Sequence, residues 1–283
     1  MCQKGILRSD DQPDSDADNA GYLSARKRDL SATIESSDKS EGRVEQLTAE
    51  LAQANHELAA INKEFELFCY SVSHHLRAPL RAFDSFGEIM LRQYADQLDV
   101  NCADFLRRIS TESRRMGRLV DDILKLSRIT RREVHRTSVD LSHLAMEVLA
   151  ALRLTDPERR VQAVVPSQLN AEGDADLLRI LFESLLGNAW KYSREKAEAV
   201  IELGLTESDG VRAWFVRDNG VGFDMAYAVQ LFTPFQRLHS HKEPEGTGIG
   251  LATAHRIVAR HGGRIWAEGW PSDGATFYFT LSP

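Results

Sequence analysis

Between Val44 and Val72, apolar or small side chains recur in alternating steps of three and four: Val44, Leu47, Leu51, Ala54, Leu58, Ile61, Phe65, Phe68 and Val72. This spacing is the a/d seam of a left-handed coiled coil, and Glu45, Gln46, Glu57, Lys63 and Glu64 fill the other faces. A lone helix with so narrow a stripe would leave it in water, so the pattern predicts a partner helix. A second copy of the same chain is expected, because two-fold closure is the commonest oligomer. The helical pattern runs on through Pro79 to about Tyr94, with a kink or local break expected at the proline. Ala95–Asn101 is polar and reads as a turn, and a second helix follows from about Cys102 to Arg131, with Leu106, Ile109, Met116, Val120 and Ile123 at helical spacing. Two antiparallel helices of this kind make a hairpin, and two hairpins make a four-helix bundle.

After Thr137 the texture becomes mixed. Strand-like runs occur at Arg160–Val165, Ala199–Leu205, Val211–Arg217, Gly263–Ala267 and Ala275–Leu281. Helical segments occur at Leu141–Arg153, Ala175–Tyr192 and Ile249–His261. Grouped strands without regular βαβ alternation predict helices layered on one face of a sheet. The expected fold is therefore multidomain: an all-α dimeric four-helix bundle with an N-terminal coiled coil, then an α+β two-layer sandwich. Residues 1–40, rich in Asp, Ser, Lys and Arg, are expected to be a disordered polar leader. Residues 41–136 form the helical part and 137–283 the α+β domain.

Composition narrows the class. The 283 residues carry 42 acidic and 35 basic side chains, a formal charge of −7, which argues against a nucleic-acid partner. No apolar run approaches the ~18 residues of a membrane span, and no signal-peptide core opens the chain. Cys2, Cys69 and Cys102 are scattered and odd in number, with neither metal spacing nor a disulfide framework. A reduced, cytoplasmic protein is expected.

The chemistry concentrates in glycine-bearing clusters. Asp218-Asn219-Gly220-Val221-Gly222 follows a strand, Gly246-Thr247-Gly248-Ile249-Gly250-Leu251 precedes a helix, and Gly274-Ala275-Thr276 enters the last strand. Glycine permits close backbone approach, and a helix amino terminus offers free N–H groups to an anion, so together they suggest a phosphate cradle. The absence of a G-K-[S/T] ending excludes a P-loop, and the spacing is not G-x-G-x-x-G. Any one cluster alone reads as a tight turn.

Upstream stand Asn188-Ala189-Trp190-Lys191-Tyr192, and between the glycine clusters Phe232-Thr233-Pro234-Phe235-Gln236-Arg237. This ordered set resembles the N, G1, F and G2 boxes of the sensor histidine kinases, within the gyrase–chaperone–kinase ATP-binding superfamily, with Gly274–Thr276 similar to a G3 box. Ser73-His74-His75-Leu76-Arg77-Ala78-Pro79-Leu80 resembles the H box, S-H-[D/E]-L-R-x-P-L. The resemblance covers about residues 41–283. It implies a Bergerat-type ATP domain and a homodimer that autophosphorylates on His74, then passes the phosphoryl group to an aspartate of a response-regulator receiver domain. His74 falls one place before the seam position of residue 75, so its ring should point away from the core. By the same resemblance Asp218 accepts from the adenine amino group, Asn188 ligates Mg²⁺ with ATP, and Lys191 and Arg237 contact phosphates. Tyr192 is implied as a wall of the site, Gly220 and Gly222 belong to its G1 turn, and Gly246, Thr247, Gly248, Gly250 and Leu251 close it. Thr233–Glu245 is expected to be a mobile lid.

The chain departs from the pattern at three places. The acid that should follow the acceptor histidine, proposed as general base, is His75, which can accept a proton but supplies no fixed negative charge. Slower, more acid-sensitive autophosphorylation is expected. Ala78 stands where a phosphatase-competent relative has Thr or Asn, so little active dephosphorylation of the partner is expected. Ser184 replaces the first Asn of the N box, four residues before Asn188 on the same helix face, and Glu183 is expected to turn away by about 100°. One rival stays open, a degenerate kinase acting as a dimeric ATP-binding scaffold or regulator; a gyrase- or chaperone-type ATPase is disfavoured by the missing catalytic Glu and the preserved H box. The stimulus is expected to enter through the coiled coil, an upstream sensor protein or a region outside this sequence.

Overall fold

The computed structural model describes residues 15–129, 132–208, 210–236 and 246–282. By contact the chain forms two units, one up to Glu64 and one from Phe65 onward. Among the described residues no helix is long and apolar enough to cross a membrane.

In the first unit everything described belongs to helix α1 (Ser15–Gln93). The seam residues Val44, Leu47, Leu51, Leu58 and Ile61 are each about half exposed or more. The helix starts at Ser15, so Ser15–Ser40 is helical rather than the disordered leader the composition suggested; residues 1–14 lie outside the described set. The physical reason lies in local propensity. No proline occurs between Pro13 and Pro79, good helix formers recur, and Leu23 and Leu30 fall in heptad phase with Val44.

In the second unit the rest of α1, a 3₁₀ turn at Ala95–Gln97 and helix α2 (Val100–Ile129) form the hairpin. The helix continues through Pro79, whose ring removes one donor from the hydrogen-bond ladder. The hairpin buries Leu80, Val120 and Leu124 together with the small side chains of Ser73, Ser110, Ser113 and Ser127. At Gly87 a Cβ would lie 2.3 Å from Ser110 Oγ, so a side chain there would make the serine hydroxyl swing aside. Arg77 donates to Asp121 at 2.7 Å, and Arg114 lies 3.4 Å from Asp84. Phe83, Phe86, Phe105, Ile109 and Met116 remain exposed on this hairpin.

The α+β domain follows. Strand β1 (Thr137–Asp140) pairs antiparallel with β3 (Asn170–Gly173) in a small separate sheet. The main sheet runs β2-β4-β5-β7-β6, from β2 (Val161–Val164), β4 (Ala199–Ser208), β5 (Val211–Asp218), β7 (Gly274–Phe279) and β6 (Ile265–Trp270). Only β2 and β4 are parallel. Helices α3 (Leu141–Thr155), α4 (Ala175–Tyr192) and α5 (Gly250–Arg260) supply the other layer.

Period-two alternation sorts the strand side chains. Trp214 stacks on Phe279 at 5.8 Å, and Phe182 of α4 meets Phe279 edge-on at 6.1 Å, which ties sheet to helix. Their neighbours on the opposite face, Phe215, Tyr278 and Trp266, form a cross-strand aromatic ladder, flanked by Arg217 and Arg264 over the outer rings. Phe215 also covers Gly204, its partner on β4.

Two capping aspartates position the helices. Asp140 accepts from His143 N at the start of α3, and Asp174 accepts from Asp176 N and Leu177 N at the start of α4. The fully buried His261 accepts the Asp174 N–H at Nε2, while its Nδ1 donates to the Ile257 carbonyl. That pairing defines the Nδ1-protonated tautomer, because a carbonyl can only accept.

Candidate functional site

A cavity of about 330 Å³ opens between α4, the turn after β5, the glycine loop before α5, and α2 of the hairpin. It gathers most of the residues singled out from the sequence: Asn188, Lys191, Tyr192, Asp218, Gly222, Gly246, Thr247, Gly248, Gly250 and Leu251. Arg237 and lid residues 237–245 lie outside the described residues.

At one end sits Asp218, the last residue of β5 and almost wholly buried. Burial pushes its carboxyl up to about 6, against the opposing pull of N–H donation from Gly220 and Ala275. The Gly220 N–H reaches Asp218 Oδ1 at 2.8 Å. Gly220 is thus a support rather than a cavity wall: a Cβ there would lie 2.4 Å from the Tyr192 carbonyl oxygen. Asn219 fixes the same turn by accepting from Val200 N and donating to Glu198 O. Phe223, Leu231 and Phe277 line the apolar walls beside the carboxylate. A flat, mostly apolar heterocycle carrying one exocyclic donor fits this end.

Gly222 is the least replaceable member of the turn. Its φ is +64°, and a Cβ would fall 1.9 Å from the Trp270 carbonyl oxygen. Gly222→Ala is expected to destabilise the domain by about 3 kcal/mol or more in urea unfolding, from strain plus backbone overlap. A loss under about 1 kcal/mol would contradict that packing.

The other end is cationic and polar. Lys191 Nζ hydrogen-bonds to Tyr192 Oη at 3.1 Å and lies 4.4 Å above its ring. A Cβ on Gly246 would come within 2.8 Å of that ammonium, so the lysine reaches across to the glycine loop. The loop turns at Gly248, with φ +75°, whose carbonyl accepts the Phe235 N–H at 3.0 Å. The Asn188 side chain borders the cavity with no hydrogen bond among the described residues, leaving its amide oxygen available. One neutral oxygen beside a polyphosphate suits Mg²⁺, which keeps waters and takes phosphate oxygens as ligands. Among the described residues no cluster of three His, Cys, Asp or Glu side chains could hold a metal by itself.

Two sequence expectations are adjusted here. Glu183 lines the cavity beside Ser184 instead of turning away from it, because the cavity is wide enough to take in both neighbouring helix positions. Ser184 Oγ donates to the Ile180 carbonyl at 3.0 Å, leaving its lone pairs toward the site. Asp122 and Lys125 of α2 also line the cavity. Nothing in their sequence context distinguishes them from other charged residues of a helical face.

His74 and His75 lie on α1, both exposed, and do not line the cavity. Their rings are edge-on with centroids 5.6 Å apart. His75 Nδ1 donates to the Ser71 carbonyl at 2.7 Å, which leaves Nε2 as the acceptor in the neutral ring.

Fold and cavity together define a nucleotide-binding α+β domain attached to a helical hairpin with an outward-facing histidine. Residues 66–132 match the His Kinase A (phospho-acceptor) domain, and residues 173–283 match the Histidine kinase-, DNA gyrase B-, and HSP90-like ATPase family. The chain belongs to the sensor histidine kinases. It is 34% identical over 260 residues to cyanobacterial phytochrome B of Nostoc sp., covering 90% of this chain and 34% of that protein. It is 32% identical over 234 residues to the phytochrome-like protein Cph1 of Synechocystis sp., covering 82% of this chain and 31% of that one. The chain thus spans about a third of the length of the curated relatives it matches. The crystal structure of full-length ShkA in complex with AMPPNP shares the fold, with TM-score 0.52 and 21% identity, over 76% of this chain and 46% of that one.

Proposed function

We propose that ATP occupies this cavity and phosphorylates His74 within a homodimer, and that the phosphoryl group then passes to a receiver-domain aspartate of a response regulator. The observation that carries the reading is the meeting of a buried carboxylate, a cationic end and a glycine loop in one cavity bordered by the hairpin that bears His74. Adenine would donate its amino group to Asp218, and Lys191 and the glycine-loop amides would meet the phosphates. Asn188 would hold magnesium, which supplies charge neutralisation to the polyphosphate when bound. In the transfer, a lone pair of the His74 ring forms the N–P bond, the bond from the γ-phosphorus to the bridging oxygen breaks, and ADP leaves with that electron pair. The proton on the other ring nitrogen then departs, with His75 Nε2 as the adjacent acceptor. The exposed seam and the exposed phenylalanines of the hairpin support the dimer. The division between the helical part and the α+β domain at residue 136 is proposed on the same footing.

Incubating the full chain with γ-labelled ATP tests the reading: label is expected on the protein from γ-labelled but not α-labelled ATP. No label from either would favour the second reading, a degenerate ATP-binding scaffold, for which His75 and Ser184 are the specific support. His75→Glu is expected to raise the rate of incorporation, because a carboxylate supplies a fixed negative charge where a neutral imidazole gives none. Identical rates for both proteins across pH 6 to 8 would remove His75 from the mechanism.

A further inference from the structure

Thr247 stands between two glycines of the loop, a stretch with few side chains to hold it in place. Its hydroxyl donates to Asp122 Oδ2 of α2 at 2.6 Å, a short bond to a charged acceptor. One turn further along the same face, Lys125 also borders the cavity and has no hydrogen bond or ion pair among the described residues. These contacts come from the hairpin, not from the α+β domain that supplies every other polar group of the site.

Their height along the hairpin matters. Arg77 pairs with Asp121, Asp84 with Arg114, and Ser127 hydrogen-bonds to Cys69. In antiparallel helices this register sets His74 of α1 within about one turn of the Asp122–Lys125 segment of α2. The cationic end of the cavity therefore opens at the level of the acceptor histidine.

We infer that α2 is part of the nucleotide site: Asp122 holds the glycine loop through Thr247, and Lys125 supplies a cation to the terminal phosphate of ATP. This rests on the cavity being the ATP site. Lys191 approaches the polyphosphate from α4 and Lys125 from the stalk, so the outermost phosphate lies between the domain and the hairpin. A solvated lysine of no consequence would affect neither nucleotide. A lysine facing the terminal phosphate separates ATP from ADP.

The test is titration of the full chain with ATP and with ADP in a His74→Gln background, which prevents turnover. Lys125→Met is expected to weaken ATP binding by about fivefold and ADP binding by less than about twofold, the scale of one partly solvated charge pair. Lys125→Arg is expected to restore the difference. Asp122→Ala and Thr247→Val should each weaken both nucleotides, and the double variant should be no worse than either single one, since both remove the same bond. Asp122→Asn, which still accepts from the hydroxyl, should remain near the parent. Equal effects of Lys125→Met on ATP and ADP, no effect on either, or additive losses for Asp122 and Thr247 would overturn the inference while leaving the ATP site standing. Binding of neither nucleotide by the parent would overturn both.

Discussion

Replacing His74 by glutamine abolishes phosphoryl incorporation from γ-labelled ATP while leaving ATP affinity within about twofold of the parent; this is the largest effect expected of any single change. Glutamine keeps the length and polarity of the side chain but has no ring nitrogen to attack phosphorus. His74 is exposed and does not line the cavity, so its loss should alter stability by no more than about 0.5 kcal/mol. The adjacent histidine sharpens the experiment. His75 Nδ1 is engaged with the Ser71 carbonyl, and residue 75 falls at a seam position of the heptad register, where a partner helix would cover it. Residual incorporation in His74→Gln above a few per cent of the parent would mean that a different side chain is the acceptor.

Asp218→Asn is expected to separate binding from stability in opposite directions. The carboxyl titrates at about 6 in the fold because burial disfavours its charge, against 3.8 for the ordinary side chain. A group with a raised folded pKa contributes stability that is complete below its unfolded value and disappears as pH climbs through the folded one. The fold therefore carries at neutral pH a charged, buried carboxylate that costs about 3 kcal/mol relative to its protonated form. Asparagine has no charge to bury, and its Oδ1 can keep the Gly220 N–H, although the Ala275 N–H that also faces the carboxylate must then share that oxygen. The nucleotide-free variant should melt higher than the parent at pH 7, and the gap should close as pH falls from 7 to 4.

Binding moves the other way. The asparagine Nδ2 would present a donor to the donating amino group of adenine, and a buried donor facing a donor is left unsatisfied. ATP affinity should fall by about a hundredfold or more. An Asp218→Asn variant that melts lower, or that binds ATP like the parent, would contradict the place given to this carboxylate.

Much of this was legible before any coordinates. The seven-residue seam, the two hairpin helices and α4, with the predicted bounds Ala175–Tyr192, follow from apolar periodicity. The five strands of the main sheet stand where β-branched and aromatic runs occur. The small sheet was not legible: Thr137–Asp140 and Asn170–Gly173 are four-residue strands without such a run, paired through tertiary contacts rather than propensity. Helix at Ser15–Ser40 was hidden by its polar composition, although its heptad phase is continuous with the seam. In the site, ordered motifs located the walls drawn from the α+β domain. Asp122 and Lys125 carry no motif, and only the docking of α2 beside α5 and the glycine loop brings them to the cavity.

The central claim is that the γ-phosphoryl group of ATP arrives on one imidazole of a paired helical stalk. Mapping the phosphorylated residue in the unmodified chain after brief incubation with ATP tests it most directly. The expected result is an alkali-stable, acid-labile phosphate confined to His74, at no more than one per chain. Phosphate on His75, on a hydroxyl or carboxyl side chain, or nowhere in a chain that demonstrably binds ATP would contradict it.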